Sequence, residues 1–84
     1  MIVKVLSWNV NSVRTRLRQI LDVCQKYNPN IICLQETKVI NDCFPKDEFI
    51  KLGYPHFYLN GIPSYNGVAI LTQKKPESFN ILNL

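Results

Sequence analysis

Two residues of this 84-residue chain are suited by type and position to chemistry: a carboxylate, Glu36, and an amide, Asn9. Each comes directly after a short, mostly apolar run, Glu36 behind "IICLQ" and Asn9 behind "IVKVLSW". Both side chains carry hard oxygen donors. Such a pair suits Mg²⁺, which takes one or two carboxylates, keeps several waters and shares its remaining positions with phosphate oxygens. The residue types alone leave a structural alternative open, in which Asn9 caps a helix and Glu36 pairs with Lys38 or Arg14.

The elements that must position this pair can be read from the pattern around it. Ile2 to Trp8 is mostly apolar and rich in β-branched types, the composition of a strand. Asn9 to Ser12 is turn material, and either Asn11 or Ser12 suits the N-cap of a following helix. Val13, Leu17, Ile20, Leu21, Cys24 and Tyr27 then fall within an arc of roughly 120°, one core-facing stripe. Arg14 and Arg18 border that stripe. Asn28-Pro29 ends the helix, because the residue before a proline is pushed out of the helical region.

Ile31 to Leu34 is continuously apolar, which predicts a strand covered on both faces. Strand, helix and strand in that order form a right-handed crossover with parallel, adjacent strands. Asn9 and Glu36 then follow the carboxyl ends of neighbours about 4.8 Å apart. That is the end of an open α/β sheet where ligands collect. Farther on, Asn41 to Lys51 mixes a turn with a short helix starting near Pro45 or Lys46. Gly53 to Leu59 predicts a third strand, Asn60 to Asn66 a loop, and Gly67 to Thr72 a fourth strand that Lys74-Lys75-Pro76 breaks. Ile81 to Leu84 reads as the start of another element. The fold class is α/β, with residues 1–84 in a single domain.

Composition narrows the function classes. A chain this short buries only about 60% of its unfolded surface. No apolar run approaches the roughly 20 residues of a membrane span. The first residues lack the basic, apolar and small-residue order of a secretory signal, so a cytoplasmic protein is expected. Cys24, Cys33 and Cys43 include no C-x-x-C pair and the one histidine is His56, which favours reduced structural thiols over a zinc site. Ten Lys and Arg against six Asp and Glu give a net charge of +4, compatible with a polyanionic partner. Arg14, Arg16 and Arg18 lie close together, and on charge alone they read as a solvated helix face.

Three strings carry a resemblance: "SWNVNSVR" (Ser7 to Arg14), "CLQETKV" (Cys33 to Val39) and "YNGVAIL" (Tyr65 to Leu71). In this order and spacing, and with Phe44-Pro45 and Leu52-Gly53-Tyr54 between them, the chain resembles the amino-terminal part of the exonuclease III family. These are apurinic/apyrimidinic endonucleases within the endonuclease/exonuclease/phosphatase superfamily. The resemblance implies a four-layer α/β/β/α sandwich, of which this incomplete domain would supply a strand-helix-strand unit and further strands of one sheet. It implies that Asn9 and Glu36 are metal or active-site ligands, that Asn11 faces the same site, and that the cofactor is Mg²⁺, with Mn²⁺ as the alternative. Arg14 and the loop residues Tyr65, Asn66 and Gly67 would contact the backbone of duplex DNA, and Lys38 either faces phosphate or pairs with a carboxylate. Arg16 and Arg18 stay with the solvated face. Where the family usually has glycine this chain has Ser12, a fair turn or cap residue, and Pro63 stands where relatives often carry a lysine.

The family's later segments supply a tyrosine, an Asp/Asn pair, a further Asp and an Asp-His pair, and none of those motifs occurs here. His56 does not match the family histidine and reads as structural. In complete form the implied activity is metal-dependent phosphodiester hydrolysis at abasic sites or 3′ ends of DNA. The alternative is a non-enzymatic remnant, or a subunit that binds DNA or a complementing second chain. The isolated chain is expected not to cleave DNA, and one face of its sheet is expected to be left exposed.

Overall fold

A computed structural model describes residues 2–60 and 67–76. The elements run β1 (Val5–Asn9), α1 (Leu17–Tyr27), β2 (Ile31–Gln35), a 3₁₀ turn (Asn41–Cys43), α2 (Lys46–Lys51), β3 (His56–Asn60) and β4 (Val68–Thr72). Ile81 to Leu84 and most of the loop before β4 lie outside the described residues. The strands form one sheet in the order β1-β2-β4-β3. As the crossover rule requires, β1 and β2 are parallel neighbours, with Leu6 opposite Ile32 and Asn9 opposite Gln35. Both β2–β4 and β4–β3 are antiparallel.

Strand alternation gives the sheet two unlike faces. Leu6, Trp8, Ile32, Leu34, Ala69, Leu71, Phe57 and Leu59 share one face and pack with Ile20 and Cys24 of α1 and Phe49 of α2. Ile32, Leu34 and Leu71 are completely buried there. Each contributes about 1.5–3 kcal/mol relative to an exposed side chain. The rings of Phe44 and Phe49 stack at 5.7 Å, and Phe57 meets Phe44 edge-on at 6.1 Å. Ser7, Cys33, Ile70 and Tyr58 make a row across the other face, where β2 is only half-buried. The covering of both faces of β2 predicted from its apolar run is therefore met on one face among the described residues.

Three predicted starts move. The third strand, expected from Gly53, begins at His56. Ile2 and Val3 stay outside β1 and are exposed, so the strand starts at Val5. The helix starts later than its apolar stripe suggests. Ser12 Oγ accepts the Thr15 N–H at 3.3 Å, and the Ser12 carbonyl accepts the Arg16 N–H at 3.2 Å. The chain from Val13 to Arg16 is thus a separate turn, with α1 beginning at Leu17 after an Arg16 N-cap that makes no side-chain bond. Arg14, placed by periodicity in the first helical turn, belongs to this preceding turn. Val13 joins the core from there, completely buried.

Candidate functional site

The parallel pairing of β1 and β2 continues past both strands as loop-to-loop hydrogen bonds. The Val10 N–H donates to the Gln35 carbonyl at 3.0 Å, Ser12 to Glu36 at 2.8 Å and Val13 to Thr37 at 3.0 Å. The Thr37 N–H in turn reaches the Gly67 carbonyl at 3.1 Å. Three segments distant in sequence are thereby fixed against each other at the carboxyl rim of the sheet.

Local backbone conformation then aims the side chains. Plain alternation from Leu34 would point Glu36 into the core. Instead Glu36 (φ +53°) and Lys38 (φ +58°) are both left-handed. The turn at Glu36 breaks the alternation, so Thr37 and Val39 are buried while Glu36 and Lys38 are half-exposed at the rim. Asn11 (φ +47°) and Ser12 (φ +92°) show the same handedness in the facing loop. Left-handed non-glycine residues cost of order 1–3 kcal/mol each and gather at functional sites. Glycine tolerates such a φ best, so a serine at position 12 carries strain that a glycine there would not. The serine hydroxyl answers part of the cost by capping the Thr15 N–H.

Asn9 and Glu36 converge: Asn9 Nδ2 donates to Glu36 Oε2. Asn9 Oδ1 accepts the Asn11 N–H at 3.2 Å, and Asn11 Oδ1 accepts from Lys38 Nζ. Glu36 thus pairs with neither Lys38 nor Arg14, the structural alternative the residue types allowed. Arg14 is exposed and forms no ion pair among the described residues, where the one such pair is Lys51 with Glu48 at 3.8 Å. Gly67 is buried at φ +116°, a conformation that suits glycine, so the end of the "YNG" loop is docked beside Glu36. Tyr65 and Asn66 lie outside the described residues. His56 is on β3, not in this cluster.

The donor chemistry can be tested against a divalent cation. Glu36 Oε1 has no hydrogen bond among the described residues, while the amide oxygens of Asn9 and Asn11 are engaged. No group of three or more His, Cys, Asp or Glu is gathered among those residues. One hard anionic oxygen fits a Mg²⁺ that keeps its other positions for water and phosphate. The residue sequence reasoning missed is Thr37, the buried strut that orients Glu36, hidden inside a polar run. Ser12, read as a turn or cap residue, does cap the Thr15 N–H, and only its left-handed φ went unsignalled.

The comparisons with known proteins decide the family. Residues 6–84 match the model of the "Endonuclease/Exonuclease/phosphatase family". The chain belongs to that family. It is 39% identical over 74 residues to exodeoxyribonuclease III of Haemophilus influenzae, covering 88% of this chain and 27% of that enzyme. It is 39% identical over 77 residues to the DNA repair nuclease APEX1 of Danio rerio, covering 87% and 25%. An AP endonuclease structure from Archaeoglobus fulgidus superposes with a TM-score of 0.83 at 41% identity, covering 90% of this chain and 29% of that one. A 3′ phosphatase from Neisseria, bound to a product DNA hairpin, also gives 0.83 at 37% identity, again with 90% and 29% covered. The chain therefore spans little more than a quarter of the length of these relatives. The four-stranded sheet of the described residues, with helices on one face, is the matching part of their fold.

Proposed function

We propose that this chain forms the carboxylate corner of a metal-dependent DNA repair nuclease that hydrolyses phosphodiesters of duplex DNA at abasic sites, 3′ ends or both. The observation that carries the reading is the convergence of Asn9 and Glu36 on a strained, hydrogen-bonded rim. In this reading Glu36 is the anionic ligand of Mg²⁺ or Mn²⁺, with Asn9 and Asn11 completing its corner. When bound, such an ion neutralises phosphate charge and activates water. Arg14 supplies a charge from within the turn that precedes α1, and Tyr65, Asn66 and Gly67 form the second contact with the DNA backbone, where positioning and not base reading is served. Lys38, held by Asn11 in the free chain, is close enough in sequence to Glu36 to approach the same phosphate. Relatives named as an exodeoxyribonuclease and as a DNA repair nuclease support the substrate class. The cytoplasmic setting stays part of the reading.

A second reading is favoured by the donor set itself. A carboxylate at a rim where no group of three or more His, Cys, Asp or Glu gathers among the described residues is a weak site alone. A chain acting without catalysis, as a DNA-binding remnant or with a complementing second chain, would look the same here.

A chimaera separates the two. Residues 1–84 are joined to the part of Haemophilus exodeoxyribonuclease III that follows the matched segment, and incubated with abasic-site duplex and Mg²⁺. Cleavage that falls at least about 10²-fold in Glu36→Ala is expected. A folded chimaera without cleavage supports the non-enzymatic reading. The 84-residue chain alone is expected to leave the duplex intact.

A further inference from the structure

The amide of Asn9 has two polar neighbours, and they differ in kind. On one side the Asn11 backbone N–H approaches at 3.2 Å, and on the other lies a Glu36 carboxylate oxygen. A backbone N–H can only donate, and an ionised carboxylate can only accept. One orientation of the amide satisfies both, with Oδ1 toward Asn11 and Nδ2 toward Glu36. Turned over, it would set N–H against N–H and oxygen against oxygen. The amide oxygen that a cation would seek is therefore turned to the chain's own Asn11 N–H and faces away from Glu36, one of its two lone pairs already used. The left-handed φ of Asn11 belongs to the turn that returns its N–H to Asn9. The cross-loop bonds from Val10 to Gln35 and from Ser12 to Glu36 hold the two segments in this relation.

We infer that Asn9 is a positioning residue and not a metal ligand: its Nδ2 holds Glu36 Oε2, leaving Oε1 as the single anionic oxygen offered to a divalent cation. The inference rests on the reading of Glu36 as the cation's ligand. It assigns the two residues different tasks, although both carry an oxygen and both lie at strand ends. Outer partners that orient a ligand are worth about 10–100-fold in metal affinity.

The test follows the Asn9 side-chain amide by NMR in the 84-residue chain, with and without Mg²⁺, beside Glu36→Ala and Asn9→Ala, and measures Mn²⁺ affinity in each. One Asn9 Nδ2 proton is expected to exchange slowly with water, to lose that protection in Glu36→Ala, and to keep it at saturating Mg²⁺. Asn9→Ala is expected to weaken Mn²⁺ binding by about 10-fold or more. Protection that vanishes when Mg²⁺ is added would mean the amide turns its oxygen to the ion, and overturns the inference. So would an Asn9 amide that exchanges like free asparagine in the metal-free chain. Mn²⁺ binding undiminished in Glu36→Ala is a different failure, visible without the Asn9 signal. It removes the reading of Glu36 and the inference with it.

Discussion

The two rims of the sheet are both lined with amides, and they end in different chemistry. At the rim opposite Glu36, the Lys4 N–H donates to Asn30 Oδ1 at 2.8 Å, and Asn30 Nδ2 donates to Gln73 Oε1 at 3.2 Å. Gln73 Nε2 donates to Asn28 Oδ1 at 2.8 Å, and the buried Tyr54 hydroxyl to the Pro29 carbonyl at 2.6 Å. Each acceptor in that chain of bonds is a neutral oxygen. At the carboxyl rim the comparable chain, from Lys38 through Asn11 and Asn9, ends on a carboxylate with one oxygen unspent. The backbone differs in the same sense. Among the described residues the far rim has one left-handed non-glycine residue, Asn28, at a helix C-cap where that conformation is ordinary. Among the same residues the near rim has four: Asn11, Ser12, Glu36 and Lys38. A polar network that ends on neutral acceptors stabilises the fold, whereas one that ends on a half-exposed carboxylate leaves a charged acceptor over, which is what the proposed role of Glu36 uses.

If this division is right, mutations at the two rims should fail different assays. Tyr54→Phe removes the donor to a buried carbonyl and should lower stability by about 1–3 kcal/mol in urea unfolding. Mn²⁺ affinity should not change, and a loss of it would break the comparison. Glu36→Gln should do the reverse, abolishing Mn²⁺ binding with little effect on the unfolding midpoint.

Ser12→Gly measures the strain directly. Relief at φ +92° is worth about 1–3 kcal/mol. Against it stand about 0.5–1 kcal/mol of extra unfolded-state freedom and a few tenths for the lost Thr15 cap. The balance runs from near zero to a gain of about 2 kcal/mol, read as an unchanged or higher Tm. A lower Tm would show that the hydroxyl cap outweighs the backbone strain. Arg14→Ala, in the chimaera, should weaken binding alike across DNA sequences and flatten the log–log salt dependence by about one unit. An unchanged slope returns Arg14 to the solvated surface.

The smallest effect in the working range concerns pH. Burial pushes the Cys24 thiol up to about 11 from 9.0. The Tyr54 hydroxyl is pushed up to about 12 from 10.0, by burial first and then by the neighbouring Cys24. Both groups are raised in the folded state, so neither costs stability below about pH 9. Stability is then lost as pH rises from about 9 to 11 for Cys24 and from about 10 to 12 for Tyr54. A transition already falling between pH 7 and 9 would contradict this assignment.

Much of this was legible from residue order. The apolar runs and the Asn28-Pro29 stop gave the parallel β1–α1–β2 unit, and with it the meeting of Asn9 and Glu36 at one rim. The sequence signals failed where backbone conformation overrides periodicity. Val13 lies on the helical stripe, yet it is buried from a turn that Ser12 closes with its own carbonyl and hydroxyl. Thr37 falls out of step with the Ile32 and Leu34 face, and only the left-handed turn at Glu36 brings it into the core. Neither φ is written in hydropathy. The orientation of the Asn9 amide was equally hidden, because it depends on an N–H two residues away.

The claim that the carboxyl rim alone offers an anionic oxygen is tested most directly by paramagnetic broadening with Mn²⁺. The ion is titrated into the 84-residue chain while the amide signals of both rims are followed. The expected result is selective broadening of Asn9, Asn11, Lys38 and Gly67, abolished in Glu36→Gln, with Asn28, Asn30 and Gln73 unaffected. Broadening at both rims alike, or broadening near Asn9 that survives Glu36→Gln, would contradict it.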